Sequence, residues 1–341
     1  MFERRILRGL ILAMALALIV ALLPALVLAD KGNPPSGPGT DAVGHTTING
    51  NPLTIHVAAD TSIQVFYAGQ SAGQVYPPDY DEADSGGFAW FNALGGGVSV
   101  HGPDFLSHDE TAGNILNPWL THGPQVTMGT GTAADPWWVG TTVEGPFPYA
   151  VTVQQWVRYV NGDDCFTVSY LINDELPSDD SFTFFHAADL YVDGEDEGFG
   201  YYDAATDAVG AWNQSRDFLE YLVPLTTADG LPMPPASHYQ EAYYQTIWDA
   251  IGTGPASPGP GFNDTIQAMP FHDSACGLQW DLAFPGVPPP NNYVELALDW
   301  CFLELQEPPP PEFVPEPGSV LLLAGGLMGL AGYAGLRARK R

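Results

Sequence analysis

Basic residues are nearly missing from this chain: ten Lys and Arg stand against forty Asp and Glu over 341 residues, a formal net charge of −30. Arg4, Arg5 and Arg8 open the chain, Arg337, Arg339, Lys340 and Arg341 close it, and only Lys31, Arg158 and Arg216 lie between. So acidic a surface excludes nucleic acid as a partner, because phosphate recognition needs basic patches. It repels anionic polymers unless cations mediate, and it favours solubility at some cost in self-repulsion. Catalytic signatures are missing too. There is no Gly-x-Ser-x-Gly elbow, no Cys paired to a positioned His and no His-Glu-x-x-His. Gly95-Gly-Gly97 lacks the Lys-Ser/Thr of a phosphate loop. With so many carboxylates, a pair at glycosidase spacing arises by chance, so the acids do not by themselves make a hydrolase.

What is present begins at the two ends. After the three arginines, an apolar run from Gly9 to Leu23 leads to Pro24 and then to Ala25-Leu-Val-Leu-Ala29. This order is that of a secretory signal peptide, 1–29, cut after Ala29; the alternative is a membrane helix that is retained. A second apolar run, 319–336, has eighteen residues. At about 1.5 Å per residue it spans roughly 27 Å, enough for a transmembrane helix. The basic cluster after it stays in the cytoplasm and leaves the preceding chain outside.

Immediately before that run stands Val314-Pro315-Glu316-Pro317-Gly318. Pro-Glu-Pro, a Gly-rich apolar helix and a terminal Arg cluster, in that order over residues 314–341, resemble the PEP-CTERM sorting signal. The resemblance implies an exosortase, a membrane-embedded cysteine transpeptidase-like enzyme, that recognises Pro315, Glu316 and Pro317 and cuts nearby. It implies an exported, inner-membrane-anchored precursor that ends at the cell surface or outside. Two prolines hold the chain extended and out of the helix, which keeps the peptide bond accessible at the membrane face. The alternative is an anchor that is never processed.

The middle reads as linker, domain, linker. Residues 30–47 begin Gly- and Pro-rich and are expected to be a flexible linker; 307–313 is a Pro-rich spacer, stiff and extended. Between them, 48–306 has period-two alternation. Val151, Val153, Gln155, Val157 and Tyr159 share a face, Asn161-Gly162-Asp163-Asp164 turns, and Phe166, Val168, Tyr170 and Ile172 continue. Many such strands between Gly- and Pro-rich loops predict an all-β fold, an antiparallel β-sandwich, double or enlarged, with a weak sub-boundary near 130–148. One helix is expected at Tyr239–Ile251, from a capping box at Ser237 and Gln240 to Gly252. Val151–Asn213 also looks like the β-rich ectodomains of other bacterial surface proteins, which implies fold without a settled activity.

Asp193, Glu195 and Glu197 before Gly198 resemble the first half of a calcium loop, with Asp189 and Asp203 as further ligands; Ala204 stands where an EF-hand has its bidentate Glu. A solvated acidic loop is the alternative. The histidines give no recognised zinc spacing: His101 and His108 flank Asp104, and His186/Asp189 and His238/Glu241 are three apart. Trp137 and Trp138 are adjacent in a strand, so they point to opposite faces, and one is a candidate glycan contact. Three cysteines are an odd number for an exported chain. A hairpin with Phe284 opposite Tyr293 would pair Cys276 with Cys301, although the apolar parities of the two strands disagree. The functional expectation is a non-enzymatic surface or matrix protein, calcium-stabilised, touching extracellular polysaccharide. The alternative is a secreted glycan-binding or glycan-hydrolysing module.

Overall fold

The structure, a computed structural model, describes residues 44–79, 83–92, 98–103, 118–145, 151–176, 180–228, 230–254 and 257–305. The expected signal peptide at 1–29, most of the expected 30–47 linker, the expected 307–313 spacer, the apolar run 319–336 read as a transmembrane helix and the sorting residues Pro315, Glu316 and Pro317 lie outside these residues, as do Asp104 and His108. Among the described residues no helix is long and apolar enough to cross a membrane.

The described residues open with a three-stranded antiparallel meander, β1 (His45–Asn49), β2 (Leu53–Ala58) and β3 (Ile63–Tyr67). Leu53, Ile55, Val57, Ile63 and Val65 are fully buried, so this small sheet joins the main core. β1 starts inside the stretch expected to be linker. Next come β4 (Ser85–Asn92) and β5 (Val98–His101), then the short β6 (Leu120–Thr121) and β7 (Val126–Met128), which both pair with β8 (Trp137–Glu144). β8 fills the expected sub-boundary and stands within the largest sheet.

β9 (Val151–Tyr159) and β10 (Cys165–Asp174) form the hairpin that the alternation predicts, and each buries every second residue. They are followed by β11 (Ser181–Asp189), β12 (Phe199–Asp203), β13 (Ala208–Trp212), β14 (Phe218–Pro224) and the two-residue pair β15 (Thr227–Ala228) and β16 (Leu231–Pro232). β17 (His238–Tyr243) runs straight into α1 (Tyr244–Ile251). After α1 come β18 (Gly252–Gly254), β19 (Ser257–Pro258), β20 (Thr265–Ile266), β21 (Ser274–Ala283) and β22 (Tyr293–Glu304).

Two sheets carry the fold. A nine-stranded sheet has the order β12-β13-β14-β22-β10-β9-β8-β6, with β7 also on β8; a six-stranded sheet has the order β20-β17-β21-β11-β4-β5. The inner faces meet in one core that includes Tyr159, Phe166, Tyr170, Phe184, Leu278, Trp280, Leu298 and Trp300. Each such side chain contributes about 1.5–3 kcal/mol of apolar burial. The other face of the six-stranded sheet is covered by α1, where Phe88, Val100 and Phe185 pack on Ile247, Trp248 and Ile251. The nine-stranded sheet keeps its outer face toward solvent, and the alternation in β9 and β10 records that asymmetry. The architecture of the described residues is therefore an enlarged antiparallel β-sandwich with one short helix.

The helix is shorter than expected. Residues 238–243 form a strand paired to β21, and Ser237 Oγ accepts the N–H of Asp281 at 3.0 Å instead of capping. Tyr239 and Glu241 turn inward, a period-two pattern that the helical spacing of the later aromatics obscured. Gly252 does end the helix, with φ 137° and its N–H bonded to the carbonyl of Trp248.

The expected Cys276–Cys301 bridge is corrected. β21 and β22 do not form a hairpin, because the chain after Ala283 crosses from one sheet to the other. Cys301 instead faces Cys165 across β22 and β10, with Cα atoms 4.1 Å apart and the two sulfurs bonded. Cys276 is free and fully buried. The parity conflict between the two strands reflected their separation into different sheets.

Candidate functional site

Trp137 and Trp138 divide as strand geometry requires. Trp137 packs against the core, and Trp138 lies on the outer face. There β7, β8 and β9 align Met128, Trp138 and Arg158 in register, with Val126, Gly140 and Trp156 in the next row. The Arg158 guanidinium sits 5.7 Å from the centre of the Trp138 ring. Trp156 meets Trp138 nearly edge-on, at 6.4 Å and 80°. A Cβ on Gly140 would come within 2.6 Å of the six-membered ring of Trp156, so only glycine lets that ring lie on the backbone of β8. Trp156 and Arg158 were not singled out as glycan contacts from the sequence, yet they lie at the outward parity of β9, which the alternation already defined.

The residues expected to hold calcium are placed otherwise. Asp193, at φ 53°, and Gly194, at φ 84°, make a tight turn. The Asp193 carboxylate accepts hydrogen bonds from Gln70 Nε2 at 2.7 Å and Asn213 Nδ2 at 3.3 Å. Glu195 accepts the N–H of Gln214 at 2.8 Å, and Asp203 accepts from Ala205 N and Thr206 Oγ1 within its own turn. Asp189 is buried at the end of β11. Burial and the neighbouring Glu197 raise the Asp196 carboxyl above its ordinary range. Among the described residues no three His, Cys, Asp or Glu converge as a metal site. Asp193 and Glu195 fasten loop to loop, and the cage read from the Asp-Gly-Glu-Asp-Glu-Gly run is not assembled among the described residues.

A polar seam runs between the sheets. Glu241 is fully buried and pairs with His272 Nε2 at 2.9 Å; its other oxygen accepts the N–H of Gln267 at 2.8 Å. This pairing holds His272 above its ordinary pKa against the opposing effect of burial. Ser274 Oγ bonds Glu241 at 3.1 Å and lies 3.4 Å from His272 Nε2. The arrangement is not a Ser-His-Glu triad, because Ser274 and Glu241 share one ring nitrogen while Nδ1 bonds the carbonyl of Pro270 at 2.9 Å. Deeper in, Gln155 donates to Tyr170 Oη at 3.1 Å, which directs the tyrosine hydrogen to His186 Nδ1 at 2.8 Å. Trp300 Nε1 donates to Glu220 Oε1 at 2.9 Å. Burial pushes His186 down to about 3 and Glu220 well up.

The three-apart histidine pairs are not pairs in space. His238 reaches Asp264 at 3.0 Å and Asp281 at 3.7 Å, and Glu241 turns to His272 instead. Glu220 could have been found by parity, since Phe218, Glu220 and Leu222 share the inward face of β14.

At the tail, residues 313–340 match the family model described as the PEP-CTERM protein-sorting motif. The chain therefore carries a PEP-CTERM tail, a signal that implies export, membrane-associated processing by an exosortase and delivery to the surface. No curated protein matches the chain. Among solved structures, a bacterial glucoamylase complexed with acarbose matches at 10% identity and TM-score 0.45, over 79% of this chain and 34% of that one. A heparan sulfate lyase HepC mutant from Pedobacter heparinus matches at 10% and 0.38, over 81% and 37%. A putative aldose 1-epimerase from Escherichia coli K12 matches at 10% and 0.39, over 77% and 100%. This chain spans about a third of the length of the glucoamylase and the lyase.

Proposed function

We propose that this chain is an exported surface or matrix protein whose β-sandwich is displayed after exosortase processing, with a structural or adhesive role and no catalysis of its own. The match of residues 313–340 to the sorting motif carries the reading. The charge distribution supports it, since the bases at both ends orient two membrane signals while the acidic domain lies beyond the bilayer. The non-enzymatic part draws support from the seam. Glu220, Glu241 and His186 are fully buried, and the Cys276 thiol among them is raised by burial and nearby carboxylates, so these groups serve packing rather than substrate.

The test is replacement of Pro315, Glu316 and Pro317 by Ala, with fractionation and immunoblotting in the native host. The reading expects full-length protein held in the inner membrane and loss of the processed surface form. Normal accumulation of the processed form would remove the sorting role. Release of reducing sugar from a panel of polysaccharides by the purified protein would remove the non-enzymatic role.

A further inference from the structure

Trp248, Trp280 and Trp300 are fully buried. Trp138 and Trp156 are half-buried on the solvent side of the nine-stranded sheet. Trp156 lies on the Gly140 backbone as a floor, and Trp138 stands at 80° to it as a wall. Arg158, one of two bases among the described residues, braces that wall. Exposed Val126 and Met128 extend the apolar edge along β7.

We propose that this platform of Trp138, Trp156 and Arg158 binds a neutral polysaccharide, a partner that deepens the surface-protein reading on which it rests. A pyranose presents a flat C–H face to an indole and a rim of hydroxyls to polar neighbours. The rim is supplied in register: Thr142 pairs Gln154 beside the floor, and Ser169 pairs Trp156 on the opposite strand. The Arg158 fork adds donors that a hydroxyl accepts. Charge selects the class. Glu144, Glu295 and Asp299 lie at outward positions of the same sheet, and the whole chain carries −30, so a polyanion is repelled and an uncharged chain is not.

Affinity electrophoresis of the full chain in detergent, through gels containing hydroxyethyl cellulose or dextran and through gels containing alginate, tests this. Retardation is expected in a neutral gel and not in alginate. Trp156→Ala and Gly140→Ala should each weaken it about tenfold, and Trp156→Tyr should keep most of it. Melting temperatures accompany each variant, and Arg158→Gln provides a further variant outside the packed contact of Trp156 with Gly140. No retardation in either neutral gel would overturn the proposal, as would retardation indifferent to Trp156→Ala, or stronger in alginate. A dimer without polymer that Trp156→Ala dissociates would also overturn it, by assigning the face to a second copy. Because fractionation reads the tail alone, failure of the platform and failure of the sorting reading are separate results.

Discussion

Trp300 Nε1 donates a hydrogen bond to Glu220 Oε1 at 2.9 Å across 80 residues of sequence, inside a core where Glu220 has no exposed surface. Desolvation is the main influence on the carboxyl and raises it well above its ordinary range. The indole bond opposes the rise without cancelling it. Burial accordingly favours the protonated, neutral form of Glu220.

That placement sets a sign for the alkaline side of stability. With a folded pKa above the unfolded value of about 4.3, the folded state holds a proton that the unfolded state releases. The contribution of Glu220 is then complete below about pH 4.3 and is lost as pH rises toward the folded pKa, by at most about 1.4 kcal/mol per pH unit. Glu220→Gln keeps an acceptor for Trp300 and removes the titration. Thermal melts from pH 5 to 9 should show the variant falling less steeply than the wild type. Parallel slopes would mean that Glu220 ionises freely in the fold.

His186 gives the opposite limb. Burial lowers its pKa to about 3, so the folded state binds fewer protons than the unfolded one between that value and 6.5. Its contribution is complete above pH 6.5 and is lost as pH falls toward 3, again by at most about 1.4 kcal/mol per unit. Tyr170 faces its Nδ1, and Trp300 meets the ring edge-on at 5.4 Å. His186→Gln should cost about 1–3 kcal/mol at pH 7, by disturbing the bond to Tyr170, and should flatten the acid limb. Urea midpoints at pH 7 and pH 4.5 measure both effects. A variant that loses as much as the wild type between those two pH values would assign the limb to other groups.

The sequence made some of this legible and hid the rest for a physical reason. Alternation is local, so the burial of Val151 through Tyr159 and of Phe166 through Ile172 could be read from neighbours two residues apart, as could the opposite faces of Trp137 and Trp138. Which strand lies beside which is a long-range matter. Nothing near Cys301 announces that β10 rather than β21 is its neighbour, and only the mismatch of apolar parities hinted that Cys276 belonged to another sheet. The acidic run at 193–198 does not converge into a cage among the described residues for the same reason. Asp193 and Glu195 are engaged by Gln70, Asn213 and Gln214, none of which the local spacing could supply. The wall and floor at Trp138 and Trp156 needed the register of β8 on β9, which sets Gly140 opposite Trp156.

The disulfide offers a direct check on that long-range pairing. Cys165 and Cys301 are separated by 136 residues, so the bond closes a long loop and removes much freedom from the unfolded chain. Cys165→Ser with Cys301→Ser should lower stability by about 2–5 kcal/mol, and dithiothreitol should lower the urea midpoint of the wild type but not of the double variant. Cys276 lies in the core with its thiol raised by burial, so in the folded protein it should resist iodoacetamide and become labelled only on unfolding. Cys276→Ala should leave the response to reductant intact while costing about 1–2 kcal/mol in lost packing. Peptide mapping of the unreduced protein is the decisive measurement. A fragment joining 165 to 301 is expected, and a fragment joining 276 to 301 would place β21 beside β22 after all and undo the arrangement of the two sheets.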